Sequence, residues 1–397
     1  MRAIVAALGN PERAYRSIHI GGTNGKGSTA AMVERALRAA GLRTGRYTSP
    51  HLDRIEERVA IDGRTIDPNA FEAVTARVFD AVQTATAGGS LTVSPTFFEV
   101  STAVAFEAFK QAMVDVAIVE VGLGGRCDAT NVLSPTITAI TSIAFDHERH
   151  LGRTLGEIGF EKAGIAKRGV PLILGRLPRE AALRITTVAR DVEAPIFDAH
   201  STTTDRVYPP LTLALAGRHQ LDNAAVAVAI LERWSALVSH LSTDAIITGL
   251  TQCEWPARLE WLRVAPEGEL LIDAAHNPAG AAALASYLHD AGCQPLPIVF
   301  AAMADKDLAN MIAPLVPAAS AFVATTVPHA RARPAGQLAA DLKRLTAQPV
   351  AAVEPPLDAV TYALSRGAGG RAVAYGSIYM VGPLRARLIE NGARRIS

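Results

Sequence analysis

Several things are scarce in this sequence, and each scarcity excludes something. Three cysteines, Cys127, Cys253 and Cys293, lie far apart in 397 residues with no C-x-x-C pair, so no disulfide framework is expected. Neither sign of charge dominates. Lys plus Arg number 39 and Asp plus Glu 38, which gives no case for a nucleic-acid or anionic-membrane surface, although a balanced total can hide a local anion site. No apolar run approaches the roughly 20 residues needed to span a bilayer. Residues 1–10 carry one Arg and only a short apolar run, unlike a signal peptide. A soluble, cytoplasmic protein is expected.

What is present is core-forming material. Apolar residues make up 49% and charged residues 19%, so wholesale disorder is not expected. The length suits two domains of ordinary size. Apolar runs alternate with helix-period segments and no fixed repeat is visible, which argues for α/β architecture with mostly parallel sheets. Strands are expected over 17–20, 116–121, 137–143, 172–174, 270–273, 298–301, 321–324 and 372–375. Helices are expected over 29–40, 68–82, 97–111, 155–162, 220–238, 278–290 and 358–366. The stretch 84–90 reads as a surface loop. A hinge is placed at 255–260, giving domains 1–256 and 257–397.

The chain is organised around Ile18-His19-Ile20-Gly21-Gly22-Thr23-Asn24-Gly25-Lys26-Gly27-Ser28-Thr29. A strand, a Gly-rich turn and a helix hold phosphate: glycines let backbone N–H groups approach, the helix N-terminus adds its dipole, and a lysine adds a point charge. The strict G-x-x-x-x-G-K-[ST] spacing is not met. Ile20 stands at the first Gly position and Gly27 follows Lys26. The bland alternative is a flexible turn, but a lysine between two glycines at a helix start has little packing purpose.

Two further strand ends carry polar residues. Val116-Ala117-Ile118-Val119-Glu120-Val121-Gly122 closes on an acid, and Thr141-Ser142-Ile143-Ala144-Phe145-Asp146-His147 on Asp and His. A carboxylate there is costly unless paired or bound to metal. Ligands of open α/β sheets bind outside the carboxyl ends of strands, so Mg²⁺ bridging nucleotide phosphates is one reading. In the other, Glu120 caps a turn and His147 is a core histidine. Zinc is disfavoured, because His147 and His150 lack H-E-x-x-H spacing and no Cys is near in sequence.

The Gly-Thr-Asn-Gly-Lys-Gly-Ser variant resembles the amide ligases that build cell-wall peptides and folate polyglutamates. Tyr47-Thr48-Ser49-Pro50-His51-Leu52 and Glu57-Arg58-Val59 narrow the resemblance to the folylpolyglutamate synthase/dihydrofolate synthase family of the Mur ligase superfamily, and further matches continue to Val381. The resemblance implies a nucleotide loop at Asn24, Gly25, Lys26, Gly27 and Ser28. It implies Mg²⁺ ligation by Ser49, Glu120 and His147, and a carbamylated Lys162 from Glu161-Lys162-Ala163-Gly164-Ile165 that helps hold a second Mg²⁺. By composition alone, Lys162 would be a helix-end cation. The resemblance also implies adenine-side, phosphate and ribose contacts at Asn223, Arg258 and Asp273. Incoming glutamate falls to His276 and Ser377. His276 could instead cap its turn. Ala257 stands where the family usually has Gly.

Folate-side contacts are implied at Thr96, Phe97, Phe98, Glu99, Cys127, Asp128 and Ala129. Phe97 and Phe98 also open an amphipathic helix, where core packing competes with stacking on a flat ring. Relatives carry residues before the segment matched by 3–11, so a weakened first folate site and weak dihydropteroate turnover are expected.

The expected fold is an N-terminal P-loop-type, mostly parallel sheet domain followed by a smaller Rossmann-like α/β domain. The expected activity is an ATP- and Mg²⁺-dependent amide ligase adding L-glutamate to a folate or dihydropteroate carboxylate through an acyl phosphate. Lys26, Lys162 and His276 are its catalytic candidates. It is expected to be monomeric, with neither nucleic acid nor membrane as partner. The alternatives are a Mur-type cell-wall peptide ligase and a non-catalytic nucleotide-binding protein. Ser49-Pro50-His51-Leu52 and Gly376-Ser377-Ile378-Tyr379 speak against the first. The set Asp273, His276 and Ser377 speaks against the second.

Overall fold

The computed structural model describes residues 1–201, 208–264 and 268–396. The chain divides into two compact units, Met1–Ala214 with Gln220–Glu254, and Leu215–His219 with Trp255–Ser397. Each is α/β.

The first unit is built on strands β1 (Arg16–Gly21), β2 (Thr44–Tyr47), β3 (Val59–Ile61), β4 (Arg64–Thr65), β5 (Val116–Glu120), β6 (Ile137–Ile140), β7 (Leu172–Leu174) and β8 (Ile196–Asp198). Their order is β4-β3-β2-β5-β1-β6-β7-β8. β2 and β5 through β8 run parallel with β1, while β3 and β4 add an antiparallel edge. β5 is a nearly continuous apolar run and β1 is buried from Ser17 to Gly21, as strands covered on both faces are. Phe106 and Phe109 of the Phe97–Gln111 helix fill one core with Tyr47 and Val119. Ile158 and Ile165 fill another with Ile140 and Leu172. β1 lies between β5 and β6, with β2 reached across β5. The loops after β1, β5 and β6 therefore meet at a topological switch point.

The second unit carries β9 (Glu260–Val264), β10 (Gly268–Ile272), β11 (Leu296–Phe300), β12 (Ala319–Ala324), β13 (Val350–Ala352), β14 (Arg371–Tyr375) and β15 (Arg394–Arg395), in the order β13-β12-β11-β14-β10-β9-β15. β10 through β14 are parallel; β9 runs antiparallel to β10, and β15 antiparallel to β9. Leu271, Phe300, Phe322 and Tyr375 centre its own core.

Helices Phe97–Gln111 and Pro278–Asp290 fall where the pattern put them, each opened by a side-chain cap, Thr96 and Asn277. Three differences have physical causes. β6 ends at Ile140, not at 143, because Thr141 and Ser142 turn their hydrogen bonds to the Gly-rich loop. The loop expected over 84–90 is helical up to Ala87. Thr84 and Thr86 bond back to the carbonyls of Asp80 and Val82, and the helix stops only at Gly88. The phosphate-loop helix begins at Lys26, three residues before the expected 29, since left-handed Gly25 (φ 87°) is its N-cap. Among the described residues no helix is long and apolar enough to cross a membrane.

Candidate active site

The Gly-rich loop is held open by a frame from the neighbouring strand. Thr23 N donates to Ser142 O at 2.7 Å and Asn24 N to Ser142 Oγ at 3.1 Å. The Thr141 and Ser142 hydroxyls donate to Asn24 O at 2.6 and 3.0 Å. Thr23 Oγ1 donates to Ala144 O and accepts from Ala144 N at 3.2 and 3.1 Å. Two glycines are obligatory here. A Cβ on Gly22 (φ 137°) would lie 2.1 Å from Thr141 Oγ1, and one on Gly25 would lie 2.0 Å from Asn223 Oδ1.

Lys26, at the first helical position, donates its Nζ to Thr23 O at 3.0 Å and sits 3.6 Å from Glu120 Oε1. Glu120, at the carboxyl end of β5, is buried, and its other oxygen accepts from Ser49 N at 3.4 Å. So Lys26, Ser49 and Glu120, which are remote in sequence, meet. Lys162, buried near the end of the Leu155–Ala163 helix, donates its Nζ to Gly22 O at 2.9 Å. Burial first, and then the positive charge of Lys26, push its amine down to about 7, against the opposing pull of Asp146 and Asp128. His147 adopts a left-handed backbone (φ 51°) three residues past the Ala144 tie to Thr23.

Among the described residues no three His, Cys, Asp or Glu side chains cluster as a metal cage. A single buried carboxylate oxygen pair beside a phosphate loop fits a hard cation that keeps waters and phosphate oxygens as its other ligands.

Asn223 is brought to the same loop. Its carbonyl accepts from Thr29 Oγ1 at 3.5 Å, its side chain donates to Gln220 Oε1 at 2.8 Å, and Gln220 Nε2 reaches Ser28 Oγ at 3.4 Å. Gln220 carries no signal of its own in the sequence. Nor do Thr23, Thr141 and Ser142, whose role depends on the β1–β6 pairing.

The folate-side candidates divide. Thr96 and Glu99 cap one another at the start of their helix, and Thr96 N donates to Glu99 Oε2 at 2.9 Å. Phe98 packs under Gly122, where a Cβ would come within 2.2 Å of its ring, and neighbours Tyr47. Phe97 stays 59% exposed, with the Arg58 guanidinium 5.2 Å from its ring centre and Arg58 Nε donating to His51 Nδ1 at 3.0 Å. This is the accessible aromatic of the pair. In the sequence, Arg58 and His51 stand out only as members of the motifs that carry the resemblance. Cys127 and Ala129 flank Asp128, whose carboxylate caps the Ala129–Val132 turn.

In the second unit, Asp273 accepts from Leu259 N at 2.9 Å and Ala275 N at 2.8 Å. Burial raises its pKa, and the nearby Arg258 charge works against that rise. Ala257, flagged because relatives carry Gly, is left-handed (φ 56°), the conformation glycine adopts at least cost. Ala257 N donates to Glu260 Oε2 at 2.8 Å, and Arg258 Nη1 to Ala257 O at 3.0 Å. His276 Nδ1 lies 2.9 Å from Ala274 O, and the N-cap of the next helix is Asn277, not His276. Ser377 stands at the N-cap position of the Ile378–Glu390 helix without capping it. Its hydroxyl is buried with no partner among the described residues, as a group awaiting a ligand would be.

Residues 257–375 match the family model described as the Mur ligase, glutamate ligase domain. A dihydrofolate synthase/folylpolyglutamate synthase of Mycobacterium tuberculosis is 38% identical over 355 residues, covering 81% of this chain and 72% of the relative. Among solved structures, a Mycobacterium tuberculosis folylpolyglutamate synthase complexed with ADP and AMPPCP superposes with a TM-score of 0.89 at 34% identity, covering 98% and 94% of the two chains. A bifunctional folylpolyglutamate synthase/dihydrofolate synthase with Mn, AMPPNP and L-glutamate bound gives 0.84 at 33% identity, with 97% and 92% covered. Likeness of this extent, at these identities and over both units, means that the chain belongs to the folylpolyglutamate synthase/dihydrofolate synthase family of ATP-dependent ligases.

Proposed function

We propose that this protein joins L-glutamate to a carboxylate of a folate or of dihydropteroate at the expense of ATP. The γ-phosphoryl group passes to the acceptor carboxylate, giving an acyl phosphate and ADP. The glutamate amine then attacks the acyl carbon, the carbon–oxygen bond to phosphate breaks, and phosphate leaves as the amide forms. The observation that carries this reading is the meeting of Lys26, Glu120 and Lys162 around one glycine-rich loop.

The loop amides and Lys26 bind the nucleotide phosphates and balance charge on the group in transfer. Asn223, Arg258 and Asp273 are assigned to the rest of the nucleotide, His276 and Ser377 to incoming glutamate. Phe97, Phe98, Cys127, Asp128 and Ala129 are assigned to the acceptor, with Thr96 and Glu99 supporting that face through their cap. Ser49, Glu120, His147 and a modified Lys162 would hold Mg²⁺, which supplies charge neutralisation at the phosphates.

An amine pushed down to about 7 is largely neutral at slightly alkaline pH, so Lys162 can add carbon dioxide. A nitrogen–carbon bond forms, one proton leaves, and the resulting carbamate is the anion a cation site needs. Carbon-13 bicarbonate should give a carbamate signal in the protein that is absent from Lys162→Ala. The protein is further proposed to work as a cytoplasmic monomer on small molecules; its near-neutral charge supports the absence of a nucleic-acid or anionic-membrane partner, and size-exclusion chromatography with light scattering tests the monomer. The reaction itself is tested by mass spectrometry of a reduced folate incubated with ATP, Mg²⁺ and glutamate. Extension by one glutamyl unit is expected, and an unextended acceptor overturns the reading.

A further inference from the structure

Two buried polar residues, His19 and Thr130, are used by none of the roles above and form a chain that ends on Asp128. His19, on β1 between Ile18 and Ile20, is fully buried, and its Nε2 lies 2.8 Å from Thr130 Oγ1. Thr130, also fully buried, hydrogen-bonds through that hydroxyl to Asp128 Oδ1, which accepts from Thr130 N as well, at 2.9 Å. Leu123 N donates to Asp128 Oδ2 at 2.8 Å. A histidine in a central strand is an odd choice where aliphatic residues pack, and burial pushes it down to about 3, so it is neutral and carries one proton.

The chain has a preferred direction. Burial raises the Asp128 carboxyl above its ordinary range, while the N–H groups of Leu123 and Thr130 that donate to it work against that rise and suit an anion that only accepts. The Thr130 hydroxyl must then give its proton to Asp128 and accept from His19, so the His19 proton is on Nε2. The reversed chain would need a protonated Asp128 against those donors. It would also place the His19 proton on Nδ1, which has no partner among the described residues.

We propose that His19 and Thr130 are positioning residues that fix the Asp128 carboxylate, and with it the turn from Gly122 to Asp128, as an oriented anionic acceptor for the amino-pyrimidinone edge of a pterin-type substrate. This rests on the reading of Asp128 as an acceptor-side residue. A carboxylate suits that ring because the exocyclic amine and the adjacent ring nitrogen both present N–H donors, and an ionised acceptor roughly doubles the strength of each bond.

The test compares Thr130→Val, which keeps shape and loses the hydroxyl, with Thr130→Ser, which restores it, and with Asp128→Asn. Steady-state kinetics use a reduced folate and dihydropteroate as acceptors. Thr130→Val should raise the acceptor KM by about tenfold or more, the scale of losing a hydrogen bond to a charged group. The KM for ATP should stay within twofold, the melting temperature should fall by a few degrees because the buried His19 N–H loses its acceptor, and Thr130→Ser should recover most of the acceptor KM. His19→Leu should act in the same direction as Thr130→Val; if it fails to fold, the Thr130 pair still decides. An acceptor KM within twofold in Thr130→Val, with a raised one in Asp128→Asn, overturns the positioning role and spares Asp128. No change in Asp128→Asn overturns both. Equal rises in the KM for acceptor and ATP would make the chain a structural tie, and also overturn the proposal.

Discussion

At the scale of residues, two lysines reach the same glycine-rich loop by different routes, and only one was legible in the sequence. Lys26 announces itself by standing between glycines at a helix start. Lys162 does not, because its burial and its contact with Gly22 O depend on how the Leu155–Ala163 helix packs. Without the motif resemblance it reads as a helix-end cation. Lys26→Ala should abolish glutamate-dependent ADP release while melting within a few degrees of wild type, since the side chain fills no core; near-normal turnover would contradict the phosphate-loop reading.

Lys162 has a pH signature. In the fold it is held at about 7, against an ordinary 10.5. Between these values the unfolded chain carries a proton there that the folded chain lacks, so this group adds stability as pH rises through that window. Lys162→Met removes the contribution. In bicarbonate-free buffer its gain in melting temperature over wild type should be largest near pH 7 and shrink toward pH 10. A difference that stays constant over that range would show that the amine is not held neutral by the fold.

At the scale of elements, long periodic helices and apolar central strands were readable, because period and capping residues agree. Short strands such as β2, β3 and β13 were not, at three or four residues each. The Ile378–Glu390 helix was also missed, since Pro383 lies inside it. The loop-clasping role of Thr141 and Ser142 lay inside a run that looked like plain strand.

Two glycine substitutions test the elements. Gly25→Ala must place a methyl at positive φ against Asn223 Oδ1, so it should weaken nucleotide binding by more than tenfold in titration calorimetry. Gly122→Ala must push Phe98 aside. It should cost about 1–3 kcal/mol in denaturant unfolding and raise the KM for the acceptor more than that for ATP. A neutral Gly122→Ala would mean that the Phe98 packing is looser than the structure has it.

At the scale of the whole molecule, composition allowed two α/β domains, and each unit indeed has its own sheet and core. The sequence gives no local sign that 215–219 belongs to the second unit. That follows from Gly217 packing on Leu259, a contact between residues about forty positions apart. The phosphate-loop candidates lie in the first unit, and the glutamate-side candidates, with Arg258 and Asp273 proposed for the nucleotide, lie in the second. The most direct measurement of the central claim is ADP release with ATP and Mg²⁺, in four arms with and without a reduced folate and with and without glutamate. Fast release only when both are present is predicted; ADP release indifferent to glutamate, or none with both present, would contradict the account.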